Sequence, residues 1–233
     1  MTLAHGEVHI WRIELGCTPS TIAALWADLS PEEQERASRV QLPKLRERWV
    51  VSRGALRRIL GRYLHAPPGA LKFRVGAYGK PELDWPHENI SFNLAHSSDL
   101  ALLAVVNSGR VGVDAELING DVEARDISRS FFACAEADAI LALPRDRRLG
   151  AFFATWTRKE AFVKALGGGL SLPLSRFVVT VRPEEPARLI SVDWDDPSRW
   201  SLIDLSEPNV AAAVAVEGEQ PILRRMQFAP HAA

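Results

Sequence analysis

Trp156-Thr157-Arg158-Lys159-Glu160-Ala161-Phe162-Val163-Lys164 is the stretch on which the reading of this chain turns. Ala151-Phe152-Phe153-Ala154-Thr155 leads into it and Gly167-Gly168-Gly169 follows it, so helix formers run up to a stop signal. At about 100° per residue, with Glu160 as origin, Phe153 falls near 20° and Lys164 near 40°. Trp156 falls near −40° and Val163 near −60° on the same wheel. A carboxylate and an ammonium therefore sit within an apolar face. Charges seldom do so unless paired or coordinating. Taken alone, an i,i+4 Glu–Lys pair at a surface, worth a few tenths of a kcal/mol, reads equally well.

The partner for that face lies upstream, in Val111-Gly112-Val113-Asp114-Ala115-Glu116-Leu117. Its alternation predicts a strand, with Val111, Val113, Ala115 and Leu117 on one side and Gly112, Asp114 and Glu116 on the other. The two carboxylates then project the same way, about 7 Å apart. Gly112 leaves room for close approach by a ligand or a backbone. A solvent-facing acidic strand edge is the competing reading.

Working outward, the periodicities predict strands over 7–15, 71–75, 90–94 and 100–106. Ala95-His96-Ser97-Ser98-Asp99 breaks the third, and the fourth forms a hairpin with 110–117 through Asn107-Ser108-Gly109. Further strands are predicted over 177–181, 187–192, 200–203 and 210–216. Helices are predicted over 20–29, from Ser30-Pro31-Glu32-Glu33 to about 41, and over 44–64, 121–129 and 135–143. Gly76-Ala77-Tyr78-Gly79-Lys80-Pro81 reads as a turn, and Pro86-His87-Glu88-Asn89 leads into the strand at 90. Each half of the chain runs from helices to short strands, with residues 106–110 as midpoint. The fold class expected is α+β, with an N-terminal half of 1–106, a C-terminal half of 107–233 and one site in the cleft between them.

Net charge is −1, which gives no support for a sequence-blind nucleic-acid binder. No apolar run reaches the roughly 18 residues of a membrane span. The N-terminus lacks a basic segment followed by an apolar one, so a cytoplasmic location is expected, with Cys17 and Cys134 as free thiols.

Asp114, Glu116 and Glu160 make three hard oxygen donors, a set suited to Mg²⁺ shared with substrate phosphates. Lys164 lies one turn beyond Glu160. In the first half Arg46, Arg53 and Arg57 (i, i+7, i+11) fall on one stripe of the 44–64 helix. Like charges so stacked repel, and phosphate would relieve the repulsion. Lys80 and His96 add cations. No phosphate-binding loop and no dinucleotide fingerprint is present.

Gly112-Val113-Asp114-Ala115-Glu116, followed 46 positions from Asp114 to Glu160 by Trp156 to Lys164, resembles the paired signature of the 4′-phosphopantetheinyl transferase superfamily. Gly79-Lys80-Pro81, Phe92-Asn93-Leu94-Ala95-His96-Ser97 and Gly168-Gly169-Leu170-Ser171-Leu172 extend the likeness along the chain. The length resembles the surfactin-type branch, a monomer whose two similar α/β-sandwich-like halves form a pseudo-dimer about a pseudo-two-fold. The resemblance implies transfer of the phosphopantetheine arm of coenzyme A to a serine of an apo acyl or peptidyl carrier protein. It implies Mg²⁺, with Mn²⁺ as a substitute, on Asp114, Glu116 and Glu160. It implies Glu160 or a metal-bound water as base, and Lys164, assisted by Lys159, on the phosphates and the leaving group. His96, Lys80, Arg53 and Arg46 would hold coenzyme A phosphates. Two departures stand out. Ala95 replaces a serine common in the family, which removes one expected ligand contact. Glu33 and Arg36 stand where some members carry lysines. An inactive coenzyme A-binding relative would need a lost ligand or lysine, and none is lost. A Mg²⁺-dependent phosphodiesterase or nuclease fits the neutral charge poorly. Carrier docking is expected near Phe131-Phe132 and the end of the Glu160 helix, with plain core packing as the other reading of those rings.

Overall fold

The computed structural model describes residues 1–76, 79–84, 90–120 and 122–230; the side chain of Leu170 is also left aside. Ala77 and Tyr78 of the expected turn, the 85–89 approach to the next strand, and Asp121 lie outside the described residues. The elements run β1 (Glu7–Glu14), α1 (Pro19–Trp26), α2 (Pro31–Ser38), α3 (Pro43–Leu64), β2 (Phe73–Val75), β3 (Pro81–Leu83), β4 (Ser91–Ser97) and β5 (Leu100–Val106). They continue with β6 (Val111–Leu117), α4 (Ala124–Phe131), α5 (Cys134–Ala142), α6 (Arg145–Leu166), β7 (Phe177–Val179), β8 (Leu189–Val192), β9 (Trp200–Asp204), β10 (Val210–Glu217) and β11 (Ile222–Gln227). The fold class is α+β, as expected.

Local chemistry sets the boundaries. Ser30 caps α2, with Glu33 closing the reciprocal bond and Pro31 in the first turn. α6 ends where Gly167 takes the left-handed conformation (φ 73°) and donates its N–H to the Val163 carbonyl. α3 ends the same way on His65.

One sequence of elements then appears twice: a strand, three helices, a two-stranded ladder and two more strands. The first copy gives the sheet order β1-β5-β4 and the small ladder β2-β3. The second gives β6-β10-β9 and β7-β8. Even the registers match. Trp11 faces Leu103 and Leu103 faces Leu94 in the first sheet; Asp114 faces Ala213 and Ala213 faces Asp204 in the second. The two long helices, α3 and α6, each have 22 residues. Small side chains join the sheets: Val8, Ile10, Ala95, Leu102 and Ala104 meet Val111, Val113, Ala115, Ala212 and Val214 in a shared core. That contact buries the apolar side of β6 and turns Gly112, Asp114 and Glu116 toward α6.

Three expectations change. Residues 100–106 and 110–117 do not form a hairpin. β5 is buried throughout and both its edges are taken, by β1 and β4, so the chain crosses at Ser108-Gly109 into the other sheet, where β6 pairs with β10. β4 is not broken at Ala95 but runs on through Ser97 against β5. β11 lies parallel to β1, with Phe228 in the first core, so residues beyond 222 complete the first sheet. The division at 106/107 had put them with the second half.

Candidate active site between the halves

Gly112 decides how α6 meets β6. A Cβ there would stand 2.1 Å from the Ala161 carbonyl oxygen and 2.2 Å from the Ala165 nitrogen. The helix backbone thus rests directly on the strand, which only glycine permits. The close approach carries Lys164 to Asp114, with Nζ 2.5 Å from Oδ1. The other oxygen of Asp114, Oδ2, is buried with no hydrogen-bond partner; among the described residues only Arg158 Nε shares that state. An orphaned carboxylate oxygen in a buried position is costly unless a ligand meets it.

The carboxyls of Asp114, Glu116 and Glu160 are all pushed up. Burial pushes the Asp114 carboxyl up, against the pull of Lys164. Burial and then the charge of Asp114 push Glu116 up, while a hydrogen bond from Ser97 opposes them. Burial, then Asp114 and Glu116, push Glu160 up, with Lys164 opposing. Glu116 feels Asp114 and Lys164, and Glu160 feels Asp114, Lys164 and Glu116, so charges on β6 and α6 act on one another. Among the described residues no three His, Cys, Asp or Glu side chains are gathered closely enough to hold a metal ion. The unpartnered Oδ2 of Asp114 is a hard oxygen donor of the kind Mg²⁺ takes.

Two further predicted residues border the cleft. Lys80 spans it: its ammonium donates to the carbonyls of Val111 and Lys164, both at 2.8 Å. Burial lowers it to about 8. It lies on a cavity of about 490 Å³ shared with Pro81, Phe92, Arg110 and Leu166. His96 is exposed on a second cavity of about 350 Å³, with Arg48, Trp49 and Ser52 of α3. Arg36 lies over the Trp49 ring. Arg48, bound to Asp99 at 2.7 Å, is thus a cation on the His96 cavity that the wheel did not single out.

Other expectations are redirected. Lys159 is fully buried and points away from the site: it pairs with Glu136 at 2.7 Å and donates to the carbonyls of Leu174 and Phe177. At about 100° from Glu160 on the helix it faces the β7 side, so it does not assist at the phosphates. Arg53 and Arg57 do not await phosphate, since Glu33 takes both. Arg57 also donates to the Pro68 and Leu71 carbonyls. Glu33, read as a departure, is what relieves the arginine stripe. Arg46 is exposed in the first turns of α3. Ala95 faces the second sheet in the shared core, 4% exposed, because β4 alternates. A hydroxyl there would meet that core, so no ligand contact is lost. Of the two rings proposed for docking, Phe132 is core and Phe131 is 54% exposed.

Two residues were missed. Asn93 Oδ1 accepts the Val113 N–H at 2.8 Å. Ser97 Oγ accepts the Leu117 N–H at 2.9 Å and donates to Glu116 Oε2 at 3.2 Å. Their signal was their shared face on β4, hidden by the supposed break at Ala95.

A family model described as the 4′-phosphopantetheinyl transferase superfamily matches residues 110–215. The 4′-phosphopantetheinyl transferase HetI of a Nostoc species is 38% identical over 94% of this chain and 91% of its own. A putative 4′-phosphopantetheinyl transferase, slr0495, of a Synechocystis species is 36% identical over 75% of this chain and 70% of its own. The 4′-phosphopantetheinyl transferase Sfp of Bacillus subtilis is 29% identical over 67% and 68%. No helix among the described residues is long and apolar enough to cross a membrane.

Proposed function

This chain belongs to the 4′-phosphopantetheinyl transferase superfamily, and from that premise we propose that it transfers the 4′-phosphopantetheine group of coenzyme A to a serine of an apo carrier protein. The observation that carries the proposal is the bond from Lys164 to Asp114 across the Gly112 contact, with Glu116 and Glu160 near enough to feel the charge of Asp114.

In the step proposed, the serine Oγ bonds to the phosphorus that carries the pantetheine arm. The P–O bond to adenosine 3′,5′-bisphosphate breaks, and the serine proton passes to a carboxylate oxygen of Glu160. Asp114, Glu116 and Glu160 would hold Mg²⁺, which supplies charge neutralisation on the pyrophosphate. Lys164 is the cation facing the phosphates and the leaving group. Such a transfer rests on positioning and electrostatic stabilisation more than on covalent chemistry by the protein. Lys80 acts from the cleft floor, His96 and Arg48 from the second cavity. The exposed Phe131 offers an apolar contact to the carrier. The chain is expected to act as a monomer, since both halves of the cleft are in one chain.

The test incubates the protein with coenzyme A, Mg²⁺ and several apo acyl and peptidyl carriers, and reads the carrier mass. Addition of one phosphopantetheine is expected, lost when Mg²⁺ is chelated. No addition to any carrier, with coenzyme A binding intact, would overturn transfer in favour of a binding-only relative.

A further inference from the structure

Among the described residues β6 pairs with one strand. β10 takes one edge; the other faces β4 of the first half. The amides of Val113 and Leu117 point across that seam. Left unpaired, the buried N–H of Val113 would cost about 1–3 kcal/mol. No strand pairing satisfies them. Instead two side chains of β4 do so, Asn93 for Val113 and Ser97 for Leu117. The spacing is four residues on both strands, so β4 and β6 run in step and are stitched by side chains at two points about 13 Å apart. Ala95, between the stitches, is small and buried against the same core. This lets the strands close up.

The second stitch has a further contact. Ser97 Oγ receives the Leu117 N–H and gives its own proton to Glu116. The hydroxyl is thereby oriented as a relay from backbone to carboxylate. Glu116 is half-exposed, one residue from the end of β6, and this is the side-chain hydrogen bond that fixes its headgroup. Groups that orient a metal-ligating carboxylate typically matter 10–100-fold for metal affinity.

We infer that Ser97 is a positioning residue for Glu116, and that Asn93 and Ser97 together hold the carboxylate strand of the second half in register with the first. This rests on the reading of Asp114, Glu116 and Glu160 as the Mg²⁺ site. Serine is suited to the place because it accepts and donates at one atom; alanine can do neither. Threonine keeps both functions.

The experiment compares the parent chain with Ser97→Ala and Ser97→Thr. Mg²⁺ binding is titrated by calorimetry with coenzyme A present, and amide hydrogen exchange is followed at Leu117. Ser97→Ala is expected to weaken Mg²⁺ binding about 10–100-fold and to speed exchange at Leu117. The KM for coenzyme A at saturating Mg²⁺ should stay within about twofold, and Ser97→Thr should restore the affinity to within about threefold of the parent. A purely structural serine would speed exchange and leave the Mg²⁺ affinity of the folded protein unchanged. If the parent binds Mg²⁺ and Ser97→Ala binds it equally, the role of Ser97 is overturned and the metal reading stands. If the parent binds no Mg²⁺, the metal reading falls and the inference with it.

Discussion

The two halves of this molecule share a frame, and the site exists where they differ. In the first half His9, Trp11 and Ile13 line the helix-facing side of β1, and α3 brings Arg62 and Tyr63 to it. In the second half the matching places on β6 and α6 hold Gly112, Asp114, Glu116, Glu160, Lys164 and Ala165. His9 and Tyr63 fill the space between strand and helix and bond to each other at 2.7 Å. Gly112 and Ala165 leave none, and the backbones touch. Arg62 lies over the Trp11 ring at 5.8 Å; Lys164 grips the Asp114 carboxylate. The same cation position faces a π-system in one half and an anion in the other.

Elsewhere the halves agree in detail. Arg57 and Lys159 occupy equivalent points on the long helices. Each is buried, each pairs with a glutamate whose carboxylate also accepts the N-cap backbone N–H of a short helix (Glu33 of α2, Glu136 of α5), each donates to two backbone carbonyls, and each lies over a phenylalanine, Phe73 or Phe177. A feature present in both halves belongs to the frame. This is why Lys159, adjacent to Glu160 in sequence, is structural.

The contrast can be broken most sharply at Asp114. Asp114→Asn should cut transfer by about 10³-fold or more at normal stability, a loss comparable to removing a key electrostatic group. Trp11→Phe, its counterpart, should leave turnover within about threefold and cost about 1 kcal/mol in urea unfolding. Equal effects on turnover would mean the halves are not divided as described. Next come the frame cations. Lys159→Met and Arg57→Met should each destabilise by about 3–5 kcal/mol by stranding a buried glutamate, with the KM for coenzyme A of the folded fraction unmoved. A Lys159→Met protein of full stability and no activity would return Lys159 to the site. Gly112→Ala should force α6 outward, costing about 1–3 kcal/mol. Transfer should fall about 10²-fold, because a shift near 1 Å misplaces Lys164 and Glu160.

Acid sharpens the comparison more gently. Burial raises Glu33, but Arg53 and Arg57 outweigh it and hold its carboxyl below the usual range. Its stabilisation is present above the unfolded value, about 4.3, and is lost as pH falls through the lower folded value. Burial pushes Glu136 up despite Lys159. The folded state then takes up the proton at a higher pH than the unfolded chain, so acidification favours the fold at that residue. Thermal melts against pH should show the acid limb flattened by Glu33→Gln and not by Glu136→Gln. Smallest of all, Arg46→Ala should change the KM for coenzyme A by no more than about threefold, since the side chain is exposed.

The sequence made the doubling and the acidic strand readable, because alternation, caps and glycines are local signals. The pairing of β6 with α6 was readable too, since Gly112 and the charged apolar face of α6 only make sense together. Strand partners were not. Residues 100–117 look like a hairpin locally, and only the demand for two full sheets sends β6 away. β11 has exposed residues at four of six positions, too polar to announce itself. The direction of Lys159 and the partner of the arginine stripe depended on Glu136 and Glu33, which look like ordinary first-turn acids.

β11 has a consequence for how the chain is made. Glu7 pairs with Ile222, some 215 positions later, and Phe228 fills the first core. At about 5–20 residues per second, synthesis delays that partner by roughly 10–40 s. During that time one edge of the first sheet stands open while the second half is still being built. The second half is therefore enclosed in sequence by the sheet it must dock against. The nascent protein depends on its last strand to seal the edge of its first.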